Sequence, residues 1–391
     1  VKFLAAVIGS LLITTVSAFG MYGVDGDDWI GFLTDGNQFR ARMDQLGFTL
    51  GNGTIKGTFG FRADTGWMGS IIDNGGTYNS ESVSFNPTVS AGIAYTSDAF
   101  GIGVGYNFTY IDRFIQVHTP VVVFNALNNN LRLAVPIQIA MTDSDKYQFQ
   151  TDPGWVNHKL KFTGIGFNQM ELRYYTGIDA FNAIRVYASY RNWTAETDAF
   201  TRGVSKYVSE DLHLQLRLYF LNTQIGNVTV NPYIRIDYAT ALKGSLIDSY
   251  GTIANTYNSI GAYEDTSAGS IYSVKPYTIK IKPVLSLAAS SDIVSLYFEP
   301  SLGYAYSYSK TKATATNPAV ESAVHALTWG AYAEMYVTPV EDLEWYFEMD
   351  VNGNVTGQGT AAANADLAPV LFETTTGITW YLPSLGGDTA Q

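Results

Sequence analysis

The chain has 391 residues, enough for two or three soluble domains or for one large β-barrel. Charged residues make up only 15% of it, against roughly 25% in an ordinary soluble domain, while glycine (37) and tyrosine (27) are abundant, a balance that fits a barrel better than a cytosolic enzyme. The absence of cysteine excludes disulfides, thiolate metal ligands and cysteine nucleophiles, and the net charge of −12 argues against a nucleic-acid partner.

The N-terminus has the pattern of an export signal over residues 1–18. Lys2 supplies a positive charge, Phe3 to Val16 an apolar core and Val16-Ser17-Ala18 a small-residue cleavage site, so the mature protein is expected to start at Phe19. No later run of 18 apolar residues follows, so a membrane span must be made of strands. Strand candidates begin at Trp29 to Thr34 and Arg40 to Leu50, and a Gly51-Asn52-Gly53 turn leads into Thr54 to Gly66.

The clearest unit is Ser82 to Ile111. Its first arm alternates Val83, Phe85, Val89, Ile93 and Tyr95 with small or polar residues, and after Ser97-Asp98-Ala99 its second arm alternates Ile102, Val104, Tyr106 and Phe108 with Gly101, Gly103, Gly105 and Asn107. A period of two marks a hairpin with one apolar face, and the arms are long enough to cross a bilayer at the roughly 9–11 residues a tilted strand needs. Leu131 to Met141 repeats the pattern, Asn157 to Ile165, Met170 to Gly177 and Ala183 to Trp193 carry it less regularly, and Leu212 to Leu221 and Val228 to Ala239 restore it. The last third adds Pro276 to Ala288, Ile293 to Ser309, Ala323 to Val337, Leu343 to Gly353 and Pro369 to Leu382.

The fold class predicted is therefore all-β, an antiparallel transmembrane barrel of about 14–16 strands spanning residues 19–391 as one domain. Long connections at 67–81, 112–130, 194–211, 240–275, 310–322 and 354–368 are expected outside, short turns and both termini on the periplasmic side. Residues 142–156 and 166–169 break this parity, and five prolines, Pro87, Pro136, Pro232, Pro283 and Pro300, fall inside proposed strands, where each removes a ladder donor. In a soluble β-protein the polar face would be crowded with lysine and glutamate; here it is rich in Gly, Ser, Thr, Asn and Tyr, and the acids gather in the connections. Tyr95, Phe100, Tyr110, Tyr308, Trp345, Trp380 and Tyr381, near strand ends, are expected in interfacial girdles.

No constellation points to an enzyme, metal or cofactor. Gly101-x-Gly103-x-Gly105 lies within a strand, where it leaves space in the lumen instead of opening a nucleotide-binding helix. The apolar Val121-Val122-Val123-Phe124 of the 112–130 connection could fold inward against that smooth wall. His118, His158, His213 and His325 show no metal spacing, and a Ser-His-Asp site of a barrel hydrolase stays a minor alternative because triads are set by geometry. Asp25-Gly26-Asp27-Asp28 and Asp143-Ser144-Asp145 lack the closing Glu of a calcium loop and read as solvated acidic loops. Candidate lumen-lining residues are Arg40, Arg42, Lys56, Arg62, Arg132, Arg217, Arg235, Lys280, Glu299 and Glu348; the bases lean to the first twelve strands and the acids to the last four, which would set a transverse field across the pore.

Phe19 to Arg62 contains FGMYG, DGNQFRARMDQLGF and GTIKGTFGF, and on these motifs it resembles the start of the variable surface proteins of the spirochaete outer envelope. The resemblance implies an abundant, exposed outer-membrane antigen, able to form homo-oligomers. The function expected is a surface-exposed, porin-like outer-membrane barrel whose partners are membrane lipid, small solutes or ions, and host surfaces or antibodies at the loops. The alternatives are a non-conducting structural or adhesive coat, a barrel hydrolase and a secreted soluble β-protein.

Overall fold

Sixteen strands close into one antiparallel barrel in the computed structural model, which describes residues 22–23, 25–42, 45–65, 85–110, 115–142, 148–149, 158–199, 203–245, 247, 264–354 and 370–382. In chain order the strands are β1 (Gln38–Arg42), β2 (Gln45–Gly51), β3 (Ile55–Thr65), β4 (Phe85–Thr96), β5 (Gly101–Tyr110), β6 (Ile115–Ala126), β7 (Leu131–Thr142) and β8 (His158–Ile178). They continue as β9 (Phe181–Ala199), β10 (Gly203–Tyr219), β11 (Tyr233–Lys243), β12 (Tyr272–Val284), β13 (Val294–Thr311), β14 (Glu321–Val340), β15 (Leu343–Asn354) and β16 (Val370–Leu382). Each pairs with the next, and β16 returns to β1 through Phe39↔Leu382, Arg40↔Tyr381 and Ala41↔Trp380. Among the described residues no helix is long and apolar enough to cross a membrane.

The wall is inside out relative to a soluble protein. Leu302 is 60% exposed and Ile93 58%, whereas Glu171 is fully buried and Arg173 only 3% exposed. Apolar side chains line the outside because a bilayer solvates them, and polar ones face a lumen. Phe39, Phe48 and Phe59 form an outer aromatic row with ring centroids 6.5 and 6.2 Å apart, and Tyr95, Phe100, Trp345 and Trp380 also face outward. Tyr381 does not: alternation turns it inward beside Trp380, where its hydroxyl donates to Glu344 Oε1 at 3.1 Å.

Several connections are placed differently from expectation. Residues 115–126 form β6 instead of an outside loop: Val121 and Val123 are 1% exposed inside while Val122 is 44% exposed outside, so both faces are apolar and the period-two signal vanishes. The break at 166–169 is a bulge within the 21-residue β8, where Gln169 takes φ 45° and its N–H donates to Ser189 Oγ at 3.1 Å. Arg40 to Leu50 splits into β1 and β2, and 194–211 is mostly strand, with β9 and β10 joined through residues 200–202. Trp29 to Thr34 is no strand at all. It follows a one-turn helix, α1 (Gly26–Trp29), and turns through Phe32 N–H to Trp29 O and Thr34 N–H to Gly31 O, at 3.0 and 2.9 Å.

The prolines sit where the ladder tolerates them. Pro136 lies at a register shift between β7 and β8, and Pro232 at the kink that separates β11 from its continuation Val228–Val230. Pro283 falls in a gap of the β12–β13 ladder, while Pro87 and Pro300 keep strand pairing to Ala63 and Ala331. Strands β8, β9 and β14, at 21, 19 and 20 residues, are about twice what a membrane crossing needs, so the wall stands well clear of the bilayer there. The signal segment and most of the expected outside loops at 67–81 and 354–368 lie outside the described residues.

Candidate functional site in the barrel lumen

Two things share the lumen: a plug made by residues 22–23 and 25–37 and an open cavity beside it. Trp29 and Phe32 are fully buried, and with Tyr22, Ile30 and Leu33 they pack on Ala94, Val121, Val123 and Ala134 of β4, β6 and β7. The spacing Trp29, Ile30, Phe32, Leu33 follows a helical turn, which places all four on one apolar surface. The glycine face of β4 and β5 receives Trp29: a Cβ at Gly92 would lie 3.0 Å from its ring, and one at Gly105 would fall inside it. The smooth wall is thus occupied, but by the N-terminal segment and not by residues 112–130.

Polar contacts hold the plug in place. Trp29 Nε1 and Asn107 Nδ2 both donate to Gly23 O, at 2.7 and 2.6 Å. Lys56 Nζ caps Leu33 O at 3.2 Å and Asp35 O, Tyr22 OH donates to Asp35 Oδ2 at 2.9 Å, and Arg132 Nη1 donates to Thr34 Oγ1 at 3.3 Å. Arg173 reaches from β8 to Asp27 and to the buried Glu171, both at 2.5 Å. Asp25 to Asp28, expected to be a solvated loop, is therefore tied into the barrel, with Asn168 donating to Asp25; Asp143 to Asp145 lies outside the described residues.

Asp25 and Asp28 keep partial access to the lumen yet lie deep within the barrel, and burial pushes both carboxyls up, Asp25 to about 7. The Asp27 charge adds to the Asp25 shift and Arg62 of β3 opposes it. Since the docked value exceeds the roughly 3.9 of a free aspartate, docking is strongest below that free value and weakens as pH rises through about 7. The chain has no cysteine, so Ile30→Cys gives a single reporter. Its labelling, normalised to the unfolded chain, should increase from about pH 5 to about pH 8.5 and lose part of that slope in Asp25→Asn. Equal protection at both ends of the range would contradict the assignment.

The cavity, about 450 Å³, is lined on one arc by Arg173, Arg185, Arg217, Arg235, Lys280 and Lys282 from β8 to β12, and on the other by Glu299 and Asp350 from β13 and β15. Tyrosines brace both arcs. Arg185 lies over Tyr219 at 4.9 Å and Arg217 over Tyr187 at 4.7 Å, cation–π contacts that hold the guanidinium planes. Glu299 accepts from Tyr297 OH and, at 3.2 Å, from Tyr233 OH; Glu334 of β14 accepts from Tyr332 OH and, at 3.0 Å, from Tyr336 OH. Glu348 stands opposite Glu334 on β15.

The other sequence-predicted residues are spread around the wall. Lys56, Arg62 and Arg132 serve the plug, and Arg40 lies against Tyr381 at 5.6 Å near the β1–β16 seam. The Arg42 side chain lies outside the described residues. None of the bracing tyrosines is among the expected girdle residues, although a tyrosine two positions from a charge on the same strand, as in Arg185/Tyr187, Tyr297/Glu299 and Tyr332/Glu334/Tyr336, marks one shared inward face.

The histidine side chains that the structure describes lie on separate parts of the wall. His213 Nε2 is 3.3 Å from Asp237 Oδ1, and Ser189 stands across from His213 on β9. The Ser189 hydroxyl accepts from Gln169 N–H at 3.1 Å. His118 and His325 face outward on Tyr106 and Tyr304, each at 2.5 Å.

A family model described as "Serpulina hyodysenteriae variable surface protein" matches residues 1–381. No curated protein matches the chain. Similar solved structures include the siderophore receptor PiuA from Acinetobacter baumannii, at 11% identity and TM-score 0.41 over 85% of this chain and 55% of the receptor, so the chain spans about half that protein's length. OmpT, an outer membrane protein of Vibrio cholerae, shows 9% identity and TM-score 0.34 over 89% and 97% of the two chains. The translocator domain of autotransporter NalP from Neisseria meningitidis shows 12% identity and TM-score 0.31 over 90% of each.

Proposed function

Because the chain belongs to the variable surface protein family of Serpulina hyodysenteriae, and its fold is an outer-membrane barrel, we propose that it acts as a narrow porin-like channel for small solutes as well as a surface antigen. The observation that carries the channel reading is the cavity of about 450 Å³ beside the plug, walled by charged side chains that tyrosines hold in place. A lumen meant only to be filled would be cheaper to pack with apolar or small residues, since each buried charge must be desolvated and paired. The antigen reading draws on the long β9–β10 hairpin and on β14, which carry the wall beyond the bilayer to where antibodies or a host surface could reach it.

Reconstitution tests the channel. Folded protein, recognised by boiling-dependent migration on a denaturing gel, should give small, discrete conductance steps in planar bilayers. A folded preparation that inserts into bilayers without any conductance would remove the channel and leave the second reading, a non-conducting structural or adhesive coat. That reading is favoured by one observation, the plug that fills the β3–β8 side of the lumen.

A further inference from the structure

The two charged arcs of the cavity approach each other across β12 and β13, and there Lys280, Lys282 and Glu299 form no salt bridge among the described residues. Lys280 and Lys282 project inward from β12, because Ile279 and Ile281 between and beside them face outward at 38 and 46% exposure. Among the described residues neither lysine has an acidic partner within salt-bridge distance. The nearest acid across the ladder, Asp237, is already engaged by Arg235 at 2.8 Å, Gln215 at 2.8 Å and His213 at 3.3 Å. On the next strand Glu299 is held by two tyrosine hydroxyls and has no cation of its own among the described residues. Asp350, on β15, adds a second acid to the same cavity.

A sequence building a merely wet wall would pair these groups with one another. Here Lys280 stands across from Ala305 of β13, six residues along from Glu299, so cations and acid share the cavity at different heights and form no direct ion pair. A solute carrying one charge satisfies one side only. A solute carrying both at its two ends satisfies the two together. At about 450 Å³ the cavity falls in the range of roughly 300–1,000 Å³ typical of small-molecule sites.

We propose that this cavity is a binding site for small zwitterions of the amino-acid and dipeptide class, the carboxylate held by Lys280 and Lys282 and the ammonium by Glu299 and Asp350. The proposal rests on the channel reading and names its substrate class. Such a site must hold a solute loosely enough to release it, so its effect appears as selective flux, not as tight retention.

Swelling of proteoliposomes with four probes of similar size separates the cases: glycylglycine as the zwitterion, N-acetylglycine as the anion, glycylglycinamide as the cation and N-acetylglycinamide as the neutral solute. Glycylglycine should enter several-fold faster than N-acetylglycinamide and faster than either singly charged probe. In Lys280→Gln/Lys282→Gln and in Glu299→Gln the ratio of zwitterion to neutral flux should fall towards one, with boiling-dependent migration showing that the variants are folded. Vesicles that admit N-acetylglycinamide but give glycylglycine no advantage overturn the zwitterion site while the channel stands. An advantage for N-acetylglycine alone makes the arc an anion filter and also overturns it. If none of the four enters faster than into protein-free vesicles, the channel reading fails and the site falls with it.

Discussion

Gly105→Leu is expected to expel the plug while leaving the barrel closed. Trp29 is fully buried, and a Cβ at Gly105 would occupy the space of its indole ring, so strand and plug cannot both stay where they are. β5 is bonded along its length to β4 and β6, with nine and ten residue pairs, whereas the plug rests on one apolar patch and a few hydrogen bonds. The plug is the weaker partner and should yield. Truncation of a buried tryptophan costs about 3–5 kcal/mol, and loss of the Trp29 seat on that scale shifts the docked population by two to three powers of ten or more. Conductance should rise several-fold, Ile30→Cys should become reactive in the doubly substituted chain, and boiling-dependent migration should persist. A folded Gly105→Leu protein with Ile30→Cys still protected would show that the plug is not seated by that glycine face.

Arg173→Met is expected to reach the same open state by an electrostatic route. Arg173 stands between Glu171, which is fully buried, and Asp27 of the plug. Removing one partner of a buried ion pair costs on the order of 3–5 kcal/mol because the remaining charge is left without compensation. Two carboxylates then face each other, one fixed in β8 and one on a segment that can leave. Departure of the plug admits water to Glu171 and relieves both. Adding Glu171→Gln should restore part of the docking, which a purely steric defect at position 173 would not allow. Unfolding of Arg173→Met without prior plug release, or no recovery in the double variant, would place the charge network in the wall's own stability instead.

Most of the wall is legible in the sequence because a lipid-facing strand must alternate. The hairpin of β4 and β5 and the run of β12 to β15 follow that rule, and their inward phase can be read from residues such as Lys280, Glu299 and Glu348. The rule fails where the lumen is not wet. β6 is apolar on both faces because Val121 and Val123 pack on the plug, so it reads as a connection. Trp29 to Thr34 looks like a first strand for the related reason that its apolar residues serve a core inside the barrel, and only their helical spacing betrays it. The bulge at Gln169 breaks the period of β8 locally and makes one long strand look like two. Of the site, the division of charge between early and late strands and the same-strand pairs such as Tyr297/Glu299 can be seen in the sequence; the cross-strand contacts, Arg185 on Tyr219, Arg217 on Tyr187 and Tyr233 on Glu299, cannot be assigned without the register that brings neighbouring strands level.

The seam between β1 and β16 sets the order of assembly. Among the described residues it joins the two ends of the barrel through three residue pairs, where β15 and β16 share eleven, and β1 is five residues long. Closing it brings together the most distant parts of the chain for the fewest hydrogen bonds, so loop-closure entropy makes it the last ladder to form and the first to open. The plug is continuous with β1, and Asn37, at the junction, exchanges hydrogen bonds with Gly51 of β2 at 3.0 and 2.7 Å. A plug that folds onto the glycine face while the sheet is still open is enclosed when the seam zips shut and need not be threaded through a finished ring.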